Sequence, residues 1–260
     1  MKEQIFTDTS NFFAIDYGDM IHIGGKQFLI KGHEREERFG LDEPKFWVKK
    51  AVDMDTGERQ IIKLSFFESF ETKIGHVTVP CFRHPEKEGQ VLKLVGNHPH
   101  FMHGNAYNDE KGNNVRVLDV VYGKNFYQYI NTIHMDHEQY FQEILPGILN
   151  KLLVAFESLR LLHANGFKHG DIRNDHIIIE EGTGNYVWID FDYDFDSVEN
   201  PFSLDLIGLG NILTYAIGKG FHNLKEKDTT SGTLLYKDLI KKLFPEDFSI
   251  VHKWRFMNLH

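Results

Sequence analysis

The chain is short of most features that announce a compartment or a simple chemistry. It has one cysteine, Cys81. No internal disulfide framework exists, a reducing compartment is expected, and Cys81 itself reads as inert. No run of about 18 consecutive apolar residues occurs, which excludes an evident membrane-spanning helix. The opening MKEQIFTDTSNFF lacks the basic start and apolar stretch of a secretory signal, so the expected location is the cytoplasm. Repeats and low-complexity tracts are missing, which removes solenoids and linkers from consideration. Histidines number 15, yet no His-x-x-x-His or Cys/His spacing forms a zinc site. Positive charge is in deficit: 29 basic against 38 acidic residues give a net charge of −9, which argues against a broad nucleic-acid surface.

What is present is an ordinary globular composition in 260 residues, with 41% hydrophobic and 26% charged side chains. That suffices for one large domain or two lobes with a substantial core. Phenylalanine is abundant at 22 residues, which points to thick aromatic packing.

The two halves of the chain differ in pattern. Residues 20–122 carry short β-like runs rich in Val, Ile, Phe and Trp: Gln27–Lys31, Phe46–Val52, Gln60–Leu64 and Val115–Val121. Met54-Asp55-Thr56-Gly57 supplies a hairpin turn. One helix interrupts them, from Pro85 to about Val95, ended by Gly96-Asn97. The second half is helical. Asp136 is a candidate N-cap, and Ile144–His163 repeats leucines at helical spacing, with Pro146-Gly147 kinking or restarting it. Two short strands, His176–Ile179 and Tyr186–Ile189, are followed by Ser203–Ile217, apolar nearly all round and expected to be buried in the middle of a helical lobe.

The chemistry concentrates around a loop. His169-Gly170-Asp171-Ile172-Arg173-Asn174-Asp175-His176 lies between the long helix and the first of these strands, and the second strand ends in Asp190-Phe191-Asp192. Asp171 and Asp190 should emerge side by side, where paired carboxylates can orient a nucleophile and hold a divalent cation. Upstream, Lys63 sits in the apolar strand QIIKL and needs an anionic partner, for which Glu88 on the following helix is a candidate.

In this arrangement the sequence resembles the protein-kinase-like superfamily, over roughly residues 40–220. Lys63 looks like the strand lysine that holds the nucleotide phosphates, and Glu88 like the helix glutamate that pairs with it. HGDIRNDHI is similar to the H-R-D-x-x-x-x-N catalytic loop, with Asp171 as catalytic aspartate. Asp190-Phe191-Asp192 resembles the D-F-G segment, with Asp190 as metal ligand. Asp205 resembles the aspartate that ties down the catalytic loop, and His169 braces that loop. Val121-Tyr122-Gly123 falls at the inter-lobe hinge. By the same alignment Val48, Ile61, Val121 and Ile178 would enclose an adenine ring, and Arg173 would either approach the γ-phosphate or make a surface salt bridge.

The resemblance implies an α+β bilobal fold. Residues 1–121 would form a small lobe, a five-stranded antiparallel sheet with one helix, and 122–260 a reduced helical lobe. Only 43 residues follow Ile217, fewer than such a lobe usually carries. It also implies an ATP-dependent phosphotransferase that uses Mg²⁺ or Mn²⁺ and a hydroxyl acceptor on a protein or small molecule. A pseudokinase serving as a nucleotide-binding or scaffold module is the alternative.

Several departures from the pattern bear on that choice. The phosphate-loop stretch Phe39–Phe46 keeps one glycine, Gly40, and carries Asp42 and Glu43, which would repel phosphates if turned inward. His176 stands where the family has a metal-binding asparagine. It either favours Mn²⁺ over Mg²⁺ as a ligand or packs beneath the loop. Asp190, Asp192, Asp194 and Asp196 alternate with aromatics, so an extended segment would place them on one side. Asp194 and Asp196 read best as a solvated face, while Asp192 is open. The segment from Asp190 to Asp205 is short, without an A-P-E motif, and Gly170 replaces the arginine that reads a phosphorylated loop. Both features point to a compact kinase that needs no loop phosphorylation. Elsewhere, His33–Arg38 is expected as a solvated charged turn, and Phe66, Phe67 and Phe70 as core.

Overall fold

Branched and aromatic residues alternating with polar ones drive the first 120 residues into strands. In the computed structural model, which describes residues 4–38, 41–74, 77–198 and 200–221, these strands run in chain order as follows. They are β1 (Ile5–Phe6), β2 (Met20–Ile23), β3 (Lys26–Arg38), β4 (Leu41–Asp53), β5 (Arg59–Lys63), β6 (Ser69–Ile74) and β7 (Val77–Arg83), then, after helix α1 (Pro85–Val95), β8 (Gly104–Asn108) and β9 (Asn114–Asp119). The main sheet has seven strands in the order β1-β2-β3-β4-β5-β9-β8 rather than the expected five. It is not wholly antiparallel, because the N-terminal β1 adds alongside β2 in parallel. The charged run His33–Arg38 is not a turn. It continues β3, pairing with residues 41–49 of β4 through bulges at Ile30/Gly32 and His33/Glu34. Gly40 of the expected phosphate loop lies outside the described residues, as does the chain beyond Phe221.

Helix α1 starts at the expected proline. His84 caps it by accepting from the Lys87 amide at 3.2 Å, Pro85 fills the first turn, and Gly96 ends it at a φ of 52°. Further along, β10 (Gly123–Asn125) leads into α2 (Phe126–Asn131), closed by a capping box between Asn125 and Gln128. Asp136 caps the short α3 (His137–Gln139), and a π turn over Tyr140–Ile144 leads to α4 (Leu145–Ala164). Pro146 thus sits at the junction of the π turn and α4, where its missing N–H interrupts the helical hydrogen-bond ladder just after the Leu145 amide bonds the Tyr140 carbonyl. Strands β11 (Ile177–Glu180) and β12 (Tyr186–Trp188) form a small sheet with β10. Strand β13 (Tyr193–Phe195) leaves it and pairs with β7, making a third sheet in the order β13-β7-β6. Helix α5 (Ser203–Ile217) follows.

Two cores result. One face of the main sheet (Ile30, Ala51, Ile62, Val115, Val117) packs with Ile15, Ile21 and Phe28. The fully buried Lys49 donates to the carbonyls of Phe12 and Ile15 and so pins the N-terminal segment there. Burial pushes the Lys49 pKa down to about 8. The larger core joins α1, α2, α4 and α5 around Trp188, whose indole N–H donates to the Ala155 carbonyl at 2.8 Å. Two expectations about packing change. Helix α5 buries Leu204, Gly208, Ile212 and Tyr215 but exposes Leu206 and Ile217, so it is buried on one side rather than all round. Phe66 stacks on Trp47 at 4.1 Å, but Phe67 and Phe70 are exposed, because they lead into and start β6, the outer strand of an added hairpin. Cys81 is buried on β7, and burial pushes its thiol up to about 11. No helix among the described residues is long and apolar enough to cross a membrane.

Candidate functional site

Lys63 is the centre of the site. It ends β5 opposite Val48 on β4 and Arg116 on β9, so these side chains and Ile61 share the face turned away from the N-terminal core. Its ammonium reaches Glu88 Oε1 at 2.8 Å, Asp190 Oδ1 at 2.5 Å and Asp192 Oδ2 at 3.7 Å. Burial opposes the charge, but the three carboxylates more than offset it and hold the Lys63 pKa above its usual value. Asp190 is likewise held well below the carboxylate range, since the Lys63 ammonium outweighs its burial.

Glu88 is fully buried on α1 and gripped twice. Lys63 takes one oxygen, and the Nε of the buried Arg116 donates to the other at 3.1 Å. Arg116 also donates to the carbonyls of Asn114 and Leu64. A second α1 residue, the buried Lys87, donates to the carbonyls of His169 and Tyr193 and so ties the helix to the loop below it. Neither Arg116 nor Lys87 was singled out from the sequence. A charged residue inside the apolar run VRVLDVV, in register with Lys63, was the available signal for Arg116.

Asp205, at the start of α5, organises the loop that carries Asp171. Its carboxylate accepts from the amides of His169 at 2.7 Å and Gly170 at 2.9 Å and from His163 Nε2 at 2.9 Å. Burial would raise its pKa, but these donors hold it below the usual range. α5 approaches closely because Gly208 has no side chain: a Cβ there would meet Ile172 at 2.6 Å. His169 is buried between the rings of Trp188 and Phe191, and burial pushes its pKa down to about 3, so it is neutral. Gly170, at a φ of 91°, lies directly under β13. A Cβ would fall 1.8 Å from the Tyr193 carbonyl oxygen, so an arginine has no room there.

His176 connects the two aspartates. Its Nδ1 lies 2.8 Å from the Asp171 carbonyl oxygen, which can only accept, so Nδ1 carries a proton. Its Nε2 stands 3.6 Å from Asp190 Oδ2. The Asp171 carboxylate is partly exposed, with His176 Nδ1 at 3.5 Å and Arg173 Nη1 at 3.8 Å from Oδ2. Arg173 also donates to both carboxylate oxygens of Asp175, at 3.0 and 2.6 Å. Asp190 adopts a left-handed backbone at a φ of 69°, a strained conformation that costs a non-glycine residue of order 1 kcal/mol. Among the described residues no group of three His, Cys, Asp or Glu side chains is arranged to hold a metal ion.

The four apolar positions expected around a base are spread over three strands and one connecting segment. Val48 is buried on β4 and Ile61 half-buried on β5, Val121 lies in the segment joining β9 to β10, and Ile178 is half-buried on β11. The acidic run does not share one solvated side. Asp192 is fully buried and paired with Arg83 of β7, Asp194 pairs with Lys168 at 2.9 Å, and Asp196 is exposed. Pairing of β13 with β7 rather than with solvent is the cause, and that partner hairpin was not read from the sequence.

No protein-family profile matches the sequence, and no curated protein does. Among solved structures, the chain is similar to "Rad53 1-466 in complex with AMP-PNP", with 18% identity and a TM-score of 0.41. The likeness covers 72% of this chain and 47% of that one, so this chain spans about half the length of that structure.

Proposed function

We propose that the protein is a protein-kinase-like phosphotransferase that moves the γ-phosphoryl group of ATP to a hydroxyl on a protein or small molecule. The observation that carries this reading is the convergence of Lys63, Glu88, Asp190 and Asp171 from four separate elements, within direct or one-residue contact of one another. Phosphoryl transfer requires a fixed cation for the phosphates, side chains that hold a metal ion, and a carboxylate for the attacking hydroxyl. Lys63 fixes the phosphates, Glu88 positions Lys63, and the partly exposed Asp171 orients the acceptor and accepts its proton. Val48, Ile61, Val121 and Ile178 enclose the base, and Arg173 supports the transferring group from beside Asp171. His169 and Asp205 hold the loop in shape. The fold in this reading is bilobal, with residues 1–121 as the nucleotide-covering lobe, 122–260 as the helical lobe, and the segment around Val121 as the hinge.

A divalent cation fits the donor set. With Nδ1 protonated toward the Asp171 carbonyl, His176 Nε2 presents a lone pair toward Asp190 Oδ2, the tautomer of a metal-bound histidine. Asp190 and His176 would hold the ion, and phosphate oxygens and water would complete its shell. Such an ion neutralises the polyphosphate, and the imidazole favours Mn²⁺ over Mg²⁺.

The test is incubation with ATP labelled at the γ-phosphate, with Mg²⁺ or Mn²⁺, comparing wild type with Asp171→Asn. Label transfer or ADP release that falls about 10²-fold or more in the variant supports the reading. Cation-dependent ATP binding with no turnover in either protein would assign the chain to the nucleotide-binding, non-catalytic alternative. Turnover equal in both proteins would remove Asp171 from the chemistry.

A further inference from the structure

Asp192 poses a problem for the site just described. It is fully buried, two residues after Asp190, and its Oδ2 lies 3.7 Å from the ammonium of Lys63. Lys63 therefore faces three carboxylates with one charge. An unpaired buried carboxylate at that distance would draw Lys63 toward itself and would repel a polyphosphate.

The structure supplies a counter-charge from outside the site. Arg83, at the end of β7, donates from Nη1 to Asp192 Oδ2. The guanidinium is nearly buried and caged by aromatic rings, with its carbon 4.2 Å from the Tyr193 ring centre, 5.4 Å from Trp47 and 5.7 Å from Phe66. Its Nη2 meets the Tyr193 hydroxyl at 2.5 Å and lies 3.5 Å from Glu68. The backbone enforces the same geometry: Arg83 is in register with Tyr193 across the β7–β13 pair, and the His84 amide donates to the Asp192 carbonyl at 2.5 Å. Inside the cluster the buried cations Lys63, Arg83 and Arg116 pair with the carboxylates of Glu88, Asp190 and Asp192, and the partly exposed Glu68 adds a fourth carboxylate at its rim, 3.5 Å from Arg83.

We propose that Arg83 is a positioning residue that neutralises Asp192 and so leaves Lys63 to the nucleotide phosphates. The β6–β7 hairpin is then a built-in part of the nucleotide site, which it completes without entering it. This inference rests on the phosphotransferase reading.

The test measures ATP binding by calorimetry with Mn²⁺, and KM and kcat, for wild type and four variants. Arg83→Met should weaken ATP binding and raise KM about tenfold or more, because it strands a buried charge. Its kcat at saturating ATP should fall less than about threefold, the charge imbalance acting on phosphate affinity. Asp192→Asn alone should bind ATP no more weakly than wild type. The double variant Arg83→Met/Asp192→Asn should return to within about threefold of wild-type affinity, since the imbalance is gone. Arg83→Lys should also retain affinity, because the charge stays. If Arg83→Met does not fold, a folded, ATP-binding double variant is itself the expected rescue. A double variant as weak as Arg83→Met would overturn the proposal and leave Arg83 a packing role. Weakened binding in Asp192→Asn would overturn it by making Asp192 a ligand. Wild-type protein that binds no ATP would instead refute the phosphotransferase reading on which the proposal stands, before any variant is compared.

Discussion

Replacing Glu88 with leucine tests whether the buried charges around Lys63 act as one network. The carboxylate is fully buried and touches three donors: Lys63 Nζ at 2.8 Å, Arg116 Nε at 3.1 Å and the Phe191 amide at 3.4 Å. Lys63 would keep Asp190 and Asp192 after the change. Arg116 would keep the carbonyls of Asn114 and Leu64 among the described residues, with its full charge buried and its carboxylate gone. Breaking a buried pair by removing one partner costs about 3–5 kcal/mol. Arg116→Met should cost less, about 1–3 kcal/mol, because Glu88 remains held by Lys63 and the Phe191 amide. In the double variant Glu88→Leu/Arg116→Met no arginine is stranded, so the two losses should fall short of their sum by about 1–3 kcal/mol. Urea unfolding followed by tryptophan fluorescence measures all four proteins, provided the slopes agree. Losses that add within about 0.5 kcal/mol would refute the network, as would a Glu88→Leu cost below about 1 kcal/mol.

Three further outcomes follow from the site. His176→Asn should shift the metal preference of turnover from Mn²⁺ toward Mg²⁺, and the nitrogen hyperfine coupling of nucleotide-bound Mn²⁺ in pulsed electron paramagnetic resonance should vanish; a coupling that persists would remove His176 from the ligand set. His169 is neutral when folded, with a pKa of about 3 against about 6.5 unfolded, so the unfolded chain takes up a proton that the folded one refuses. Its contribution should weaken stability by about 1.4 kcal/mol between pH 7.5 and 5.5, a loss absent from His169→Phe; the buried Asp192, whose pKa is raised, acts in the opposite direction in both proteins and drops out of the comparison. Gly170→Ala should destabilise the fold by more than about 1–3 kcal/mol in thermal unfolding, since it combines a φ of 91° with a Cβ 1.8 Å from the Tyr193 carbonyl oxygen; a near-neutral change would contradict the close approach of β13.

The sequence made the local signals legible. Pro85 and Gly96 bound α1, the apolar spacing marks α4 and α5, and the motif spacing points to Lys63, Glu88, Asp171, Asp190 and Asp205 as the residues that carry chemistry. Alternation in single strands gave the β-rich half, but the edges of the sheet depend on pairing partners distant in sequence. Hence alternation does not reveal β1, β2, β8 or the β6–β7 hairpin, and His33–Arg38 reads as a turn when it is a ladder strand. The same limit hid the partners of the site. Arg83, Lys87 and Arg116 carry ordinary surface-type side chains, and only the three-dimensional arrangement shows them buried against carboxylates and loop carbonyls. The acidic run misled for a related reason: strict alternation predicts one shared side, but pairing of β13 with β7 sends Asp192 to Arg83 and Asp194 to Lys168.

The claim that Lys63, Asp190 and Asp171 form a cation-dependent nucleotide site is tested most directly by calorimetric titration of ATP into wild type and Lys63→Met, each with and without Mn²⁺. The account predicts binding by wild type that strengthens about tenfold or more with Mn²⁺, and a large loss of affinity in Lys63→Met under the same conditions. Equal affinity in the two proteins, or binding indifferent to the cation, would contradict it.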